Sequence, residues 1–111
     1  MLHRENRIKK YHLSSAADLI KETMDYYSIT QSDLAGRLGV SQKNISDILN
    51  RKRFLNEVVA LRIEKVMGIS SELLLALDSN YKLRLAKENN EVTKADSKSP
   101  LFLQRYDWVT A

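Results

Sequence analysis

Thr30–Asn50, TQSDLAGRLGVSQKNISDILN, is the stretch whose residues decide the fold. Thr30 is placed to cap a helix, with Asp33 three residues on as the second half of a capping-box-like pair. Leu34, Ala35 and Leu38 repeat at helical spacing and form an apolar stripe. Gly39 ends that helix, because the residue just past a helix end often takes positive φ. Val40 fills the bend, Ser41 caps a second helix, and Ile45, Ile48 and Leu49 supply its buried face. The small side chain of Ala35 lets the two helices cross closely. Two short helices joined by a tight turn make a helix-turn-helix unit. Its outward polar residues, Gln42, Lys43, Asn44, Ser46 and Asp47, are of the types that reach base edges.

Upstream, Ser14 or Ser15 offers a cap, with Asp18 three residues after Ser15. Ala16, Ala17, Ile20, Met24 and Tyr27 share one helical face, which predicts a helix over Ser15–Tyr27. The central stretch then predicts helices over Thr30–Leu38 and Gln42–Leu49. Asn50-Arg51-Lys52-Arg53 reads as a polar turn. Asn56 caps a fourth helix over Glu57–Met67, with Val59, Ala60, Ile63, Val66 and Met67 facing inward and Gly68 as its stop. Ser70 and Ser71 start a fifth, SELLLALDSNYKLRLAKEN. Its stripe is Leu73, Leu74, Leu77, Tyr81 and Leu85, and Leu75 and Leu83 lie off that stripe. This is more apolar surface than one small core needs, and it points to an intermolecular contact. A seam between two copies would draw on Leu75, Leu77, Tyr81, Leu83 and Leu85.

No strand pattern occurs, so the expected fold is all-α. A basic, flexible N-terminal arm spans residues 1–13, a helical domain residues 14–88, and a polar linker with an apolar tail residues 89–111. The tail, LFLQRYDWVTA, contains Phe102, Tyr106 and the single tryptophan, Trp108. An aromatic segment behind a polar linker suggests docking: onto the domain, onto a partner, or as the stump of a longer form.

A length of 111 residues suits one domain and a tail. With 43% hydrophobic and 29% charged residues, the chain is expected to be globular. The absence of cysteine removes disulfides, thiolate catalysis and Cys-based zinc sites, and it fits a cytoplasmic protein. No apolar run approaches the roughly 20 residues that span a bilayer. The start, MLHRENRIKKYHL, lacks the apolar core of a signal peptide. Residues 1–53 hold ten Lys/Arg and six Asp/Glu, so the whole net charge of +4 lies in the half with the helix-turn-helix. That asymmetry suggests an anionic partner, most simply nucleic acid, although +4 also serves solubility.

Leu34-Ala35, Gly39-Val40-Ser41, Ile45-Ser46, Ile48-Leu49-Asn50 and Arg51-Lys52-Arg53 resemble the five-helix, phage-repressor-like helix-turn-helix domains of the XRE, or Cro/C1, type. Ala60-Leu61-Arg62-Ile63, Met67-Gly68-Ile69-Ser70, Leu77 and Asn80–Ala86 narrow the resemblance to the HigA-type antitoxins. The chain departs from that subfamily at Leu13-Ser14-Ser15, where His-Pro-Gly is usual, and at Leu74–Leu75, where tryptophan is usual. Some relatives carry a metallopeptidase region, but this chain has no His-Glu-x-x-His.

The resemblance implies a DNA-binding protein whose third helix enters the major groove. Gln42 is then the leading base reader, pairing with adenine. Lys43 reaches guanine or a phosphate, and Asn44 and Ser46 add base or phosphate bonds. Asp47 either accepts from cytosine or pairs with Lys43 one turn earlier. Gln31, at a helix start, resembles the family's phosphate clamp. Ser41, Asn50, Arg51, Lys52 and Arg53 are further phosphate candidates, and Arg4, Arg7, Lys9 and Lys10 are candidates in the arm. One domain reads few bases, so a homodimer on a near-palindromic, double-stranded operator is expected, with reading helices about 34 Å apart.

In such an antitoxin the protein represses its own operon and neutralises a small basic ribonuclease toxin. The alternatives are a stand-alone XRE-family repressor without a toxin and an interaction protein whose DNA surface has decayed. An enzyme is the poorest reading. His3 and His12 lack acidic partners at ligand spacing, Ser41 and Ser46 have no base near them in the motif, and three glycines build no phosphate loop. No metal or cofactor is expected.

Overall fold

A computed structural model describes residues 15–96 and 99–110. The arm over residues 1–13, with Arg4, Arg7, Lys9 and Lys10, lies outside the described residues, as do Ser14, Ser97, Lys98 and Ala111. Five α-helices follow in order: α1 (Ala16–Tyr27), α2 (Gln31–Leu38), α3 (Gln42–Leu49), α4 (Glu57–Met67) and α5 (Ser71–Glu88). A 3-10 turn, Glu91–Thr93, closes the series, and no strand occurs among the described residues.

The helix starts follow from single side chains. Thr30, Ser41, Asn56 and Ser70 each accept a hydrogen bond from the backbone N–H three residues on, at 3.1, 3.0, 2.8 and 3.2 Å. Each satisfies one of the free N–H groups that open a helix. The expected second half of the Thr30 box is not made: the Asp33 carboxylate turns to Arg37 Nε at 3.1 Å instead. The box forms on α1, where Asp18 accepts the Ser15 N–H at 3.1 Å. Gly39 (φ 71°) and Gly68 (φ 76°) end α2 and α4 in the left-handed region, where a Cβ would be strained.

Helix α2 packs on α3 and on α4, α1 crosses α3 and α5, and α4 lies along α5. Ile20, Leu34, Leu38, Ile45, Ile63 and Leu74 are no more than 2% exposed and form the centre of the core. Met24, Ile48, Leu49, Leu55 and Val59 surround them.

Helix α5 differs from its expected register. Its inner line runs Leu74, Leu77, Asp78 and Tyr81, the i, i+3, i+4, i+7 spacing of one face. Leu73, 100° away on the helix, is 46% exposed rather than buried. Leu75 is partly buried against the core and Leu77 is buried in it, so Leu77 serves the monomer's own core. On α4, Val66 likewise points outward rather than inward. The unexpected member of the inner line is Asp78, only 4% exposed. Its Oδ1 accepts the N–H of Ala16 at 2.9 Å and its Oδ2 that of Leu55 at 3.0 Å. One carboxylate thus ties the start of α1 and the segment before α4 to α5.

Beyond the middle of α5 the chain leaves the core. Every described residue from Lys87 onward is exposed. The radius of gyration is 18.0 Å, against roughly 13 Å for a compact chain of this length. The tail does not fold back on the domain: Trp108 is 74% exposed, and its ring stacks on Tyr106 with centroids 4.5 Å apart.

Removing the Asp78 carboxylate leaves two buried N–H groups without an acceptor. Asp78→Ala is expected to lower the unfolding free energy by about 3 kcal/mol in urea denaturation. A loss below about 1 kcal/mol would show that those N–H groups find other partners.

Candidate nucleic-acid interface

Helix α3 buries Ile45, Ile48 and Leu49, which turns Lys43, Ser46 and Asp47 toward the other side; Gln42 shares the buried face by spacing and is exposed because it opens the helix. Gln42 and Lys43 are exposed at the start of the helix, just after the capping Ser41. Lys43 Nζ lies 3.1 Å from Asp47 Oδ2, with the lysine side chain 82% exposed and the aspartate 17%. Of the two roles open to Asp47, the described structure holds the ion pair. Such an i,i+4 pair is worth only about 0.3–0.5 kcal/mol, so a base or phosphate can displace it. The Ser46 hydroxyl accepts the Asn50 amide at 3.3 Å, which links two of the predicted contact residues. Asn44 departs from the group. It is half-buried, and its Oδ1 is shut from solvent without a hydrogen-bond partner among the described residues. Gln31 sits half-buried at the first position of α2, beside the free N–H groups of that helix start.

The basic turn after α3 separates into two kinds of cation. Lys52 and Arg53 are exposed. Arg51 adopts a left-handed backbone (φ 58°) and turns into the domain. Its Nη2 donates to both carboxylate oxygens of Asp18, and its Nε donates to Ser15 Oγ at 3.0 Å. Its guanidinium carbon lies 5.1 Å from the centre of the Tyr81 ring. Arg51 therefore holds α1, the α3 end and α5 together instead of standing beside its two neighbours. Partial burial alone would raise the Asp18 carboxyl. The hydrogen bonds from Arg51 and the Ser15 N–H, with the charges of Arg51 and Lys21, hold it below its ordinary value.

On α5, the candidates for a seam between copies have separate surroundings. Leu83 is 56% exposed and Leu85 half-buried. Tyr81 is half-buried beneath Arg51 and Arg84, with Phe54 6.1 Å away. Phe54 and Lys82 are not among the site residues expected from sequence, yet Lys82 Nζ lies 5.0 Å from the Phe54 ring centre. The sequence places these two residues 28 positions apart, and only the docking of the turn on α5 brings them together.

A cleft of about 360 Å³ opens elsewhere, between Thr23, Tyr27, Ile29, Leu34, Val66 and Met67, and α3 contributes nothing to it. Among the described residues no three His, Cys, Asp or Glu side chains gather as a metal site, and no helix is long and apolar enough to cross a membrane.

Residues 20–74 match the HTH_3 helix-turn-helix family. No curated protein sequence gives a significant match. The structure is similar to a candidate antidote protein of a plasmid maintenance system from Nostoc punctiforme (TM-score 0.65, 26% identity, covering 68% of this chain and 84% of that one). It is also similar to the Pseudomonas aeruginosa antitoxin HigA, solved with the higBA promoter (TM-score 0.67, 23% identity, covering 80% and 98%). A third similar structure is an addiction module antidote protein of the HigA family from Coxiella burnetii (TM-score 0.63, 22% identity, covering 78% and 98%).

The Asp18 geometry carries a pH dependence. Its folded pKa lies below the ordinary 3.8. The stabilisation is therefore complete well above that value and is lost as pH falls through the folded pKa. The stability gap between the native chain and Asp18→Asn, followed by urea unfolding, is expected to be widest near neutral pH and to close below pH 3.8. A gap that stays constant through the acid range would remove Asp18 from this role.

Proposed function

We propose, from the match of residues 20–74 to the HTH_3 helix-turn-helix family, that this chain is a DNA-binding protein and the antitoxin of a type II toxin–antitoxin pair. It represses its own operon and neutralises a small basic ribonuclease toxin. The observation that carries this reading is the extent of the structural likeness. The matches cover 84–98% of the similar antidote chains, one of them an antitoxin solved with its promoter.

In this reading α3 lies in the major groove of a near-palindromic operator. Gln42 reads a base through its amide, and Lys43 leaves Asp47 to meet a base or phosphate. Ser46 and Asn50 flank it as a linked pair. Lys52, Arg53 and the α2 start at Gln31 bind phosphates and set the register, which the base contacts then interpret. Two copies meet through the second half of α5, where Leu83 is the exposed apolar residue. The tail, whose stacked Tyr106 and Trp108 rings are both exposed, is the segment offered to the toxin. The protein works in the cytoplasm, where its operator is.

The deciding experiment is expression of the chain with the product of the neighbouring reading frame, followed by co-purification. A stable complex with a small basic protein supports the antitoxin, and deletion of Leu101–Ala111 should weaken that complex while leaving operator binding intact. Operator binding with no such partner would favour the stand-alone XRE-family repressor.

Gln42→Ala is expected to cost about 1–3 kcal/mol on the operator and to relax preference at one base pair, measured by titration against single-base operator variants. An equal loss on random duplex would remove the base-reading role.

A further inference from the structure

We infer that the track of DNA-backbone contacts continues from the end of α3 onto α5, with Lys82 as a phosphate-binding residue. The inference rests on the DNA-binding reading of this chain and extends its footprint to a helix outside the helix-turn-helix.

The turn after α3 is the starting point. Arg51 is withdrawn from the row of cations by Asp18, Ser15 and the Tyr81 ring. That withdrawal seats the turn on α5. Phe54, next in sequence to Arg53, lies half-buried with its ring 6.1 Å from Tyr81. Lys82 follows Tyr81 along α5 and sets its Nζ 5.0 Å from the centre of the Phe54 ring. The Lys82 ammonium therefore stands beside the same turn that carries Lys52 and Arg53. Among the described residues Arg37, Lys43, Arg51 and Arg84 are each paired with a carboxylate, whereas Lys52, Arg53 and Lys82 have no ion-pair partner, a condition they share with Arg62, Lys65, Lys87 and Lys94; what sets Lys82 apart is its place against Phe54.

The position is also rigid. Asp78, one turn before Lys82, is fixed by the Ala16 and Leu55 N–H groups. The spacing between α3 and Lys82 is thus set by a buried contact rather than by a mobile loop. The Phe54 ring holds the lysine end close to its place, so less side-chain freedom is lost when an anion binds. A phosphate is favoured over an acidic protein because the two neighbouring free cations directly follow the reading helix. DNA lying on α3 brings its backbone to that turn.

The test uses the full chain and its Lys82→Ala and Lys82→Arg variants. Binding is followed by fluorescence anisotropy on two duplexes of about three helical turns, one from directly upstream of the chain's own coding sequence and one of random sequence. Titrations run from about 50 to about 200 mM salt. Lys82→Ala is expected to weaken binding to both duplexes several-fold at the low-salt end. It should also reduce the slope of log affinity against log salt by about 0.9 for each phosphate no longer neutralised. Lys82→Arg should restore the slope, and Lys87→Ala, further along α5, should leave it unchanged. An unaltered slope in Lys82→Ala, with native binding intact, overturns the inference while sparing the DNA-binding reading. Native protein that binds neither duplex overturns both. A fall in affinity that comes with a changed oligomeric state in sedimentation assigns Lys82 to the seam between copies and overturns the inference as well.

Discussion

The Asp78 carboxylate is the constraint on which the arrangement of the helices depends. It accepts one N–H from the first residue of α1 and one from Leu55, ahead of α4. The first of these is among the four N–H groups that a helix start leaves without an internal partner. The α1 end also carries partial positive charge, which favours an anion there. A buried carboxylate is costly in isolation, but here both oxygens are hydrogen-bonded and one faces a helix N-terminus. The result is a three-way junction: α5 fixes where α1 begins and where the turn after α3 must run. Arg51 completes it from the other side by binding Asp18 and Ser15 and lying against Tyr81.

This junction explains which features were legible in the sequence. The starts and stops of α2, α3 and α4 depend on local chemistry, and Thr30, Ser41, Asn56, Gly39 and Gly68 carry that chemistry in their side chains or in its absence. The inner faces of α1, α2 and α3 follow from apolar spacing, except that Tyr27, expected on the inner face of α1, is 67% exposed at its last turn. Helix α5 has leucines nearly all round its first two turns, so apolar spacing alone could not choose its register. The residue that does choose is charged, and a charged residue is assigned to solvent by default. Its partners lie 62 and 23 residues away, beyond any local pattern. The placing of Leu73 inside and Leu75 outside failed for that reason.

The outward side of α3 was legible in part. Once Ile45, Ile48 and Leu49 are buried, the outward position of Lys43, Ser46 and Asp47 is geometric, and the Lys43–Asp47 pair follows from i,i+4 spacing; Gln42 is exposed because it opens the helix. What spacing could not reveal is that consecutive basic residues have different work. Arg51 takes a left-handed backbone and a half-buried carboxylate, while Lys52 and Arg53 remain in solvent. A run of like charge reads as one feature in a sequence, and the fold divides it.

The division follows from energetics as well as position. An exposed pair such as Lys43–Asp47 is worth a few tenths of a kcal/mol. A nucleic acid that presents a better partner can dissolve it at little cost. The Arg51–Asp18 contact is partly withdrawn from water, engages both carboxylate oxygens, and adds a hydroxyl and an aromatic ring. Breaking it for a phosphate would strand Asp18 and loosen α5. The same charge type therefore maintains the domain at one residue and is available to a ligand at its neighbours. Helix α5 joins the two roles. Its first half closes the core through Leu74, Leu77 and Asp78, and its second half carries the exposed Leu83 away from the core. Asp78 and Tyr81 anchor this helix to α1 and to the turn after α3, so the half that carries Leu83 projects from a fixed base.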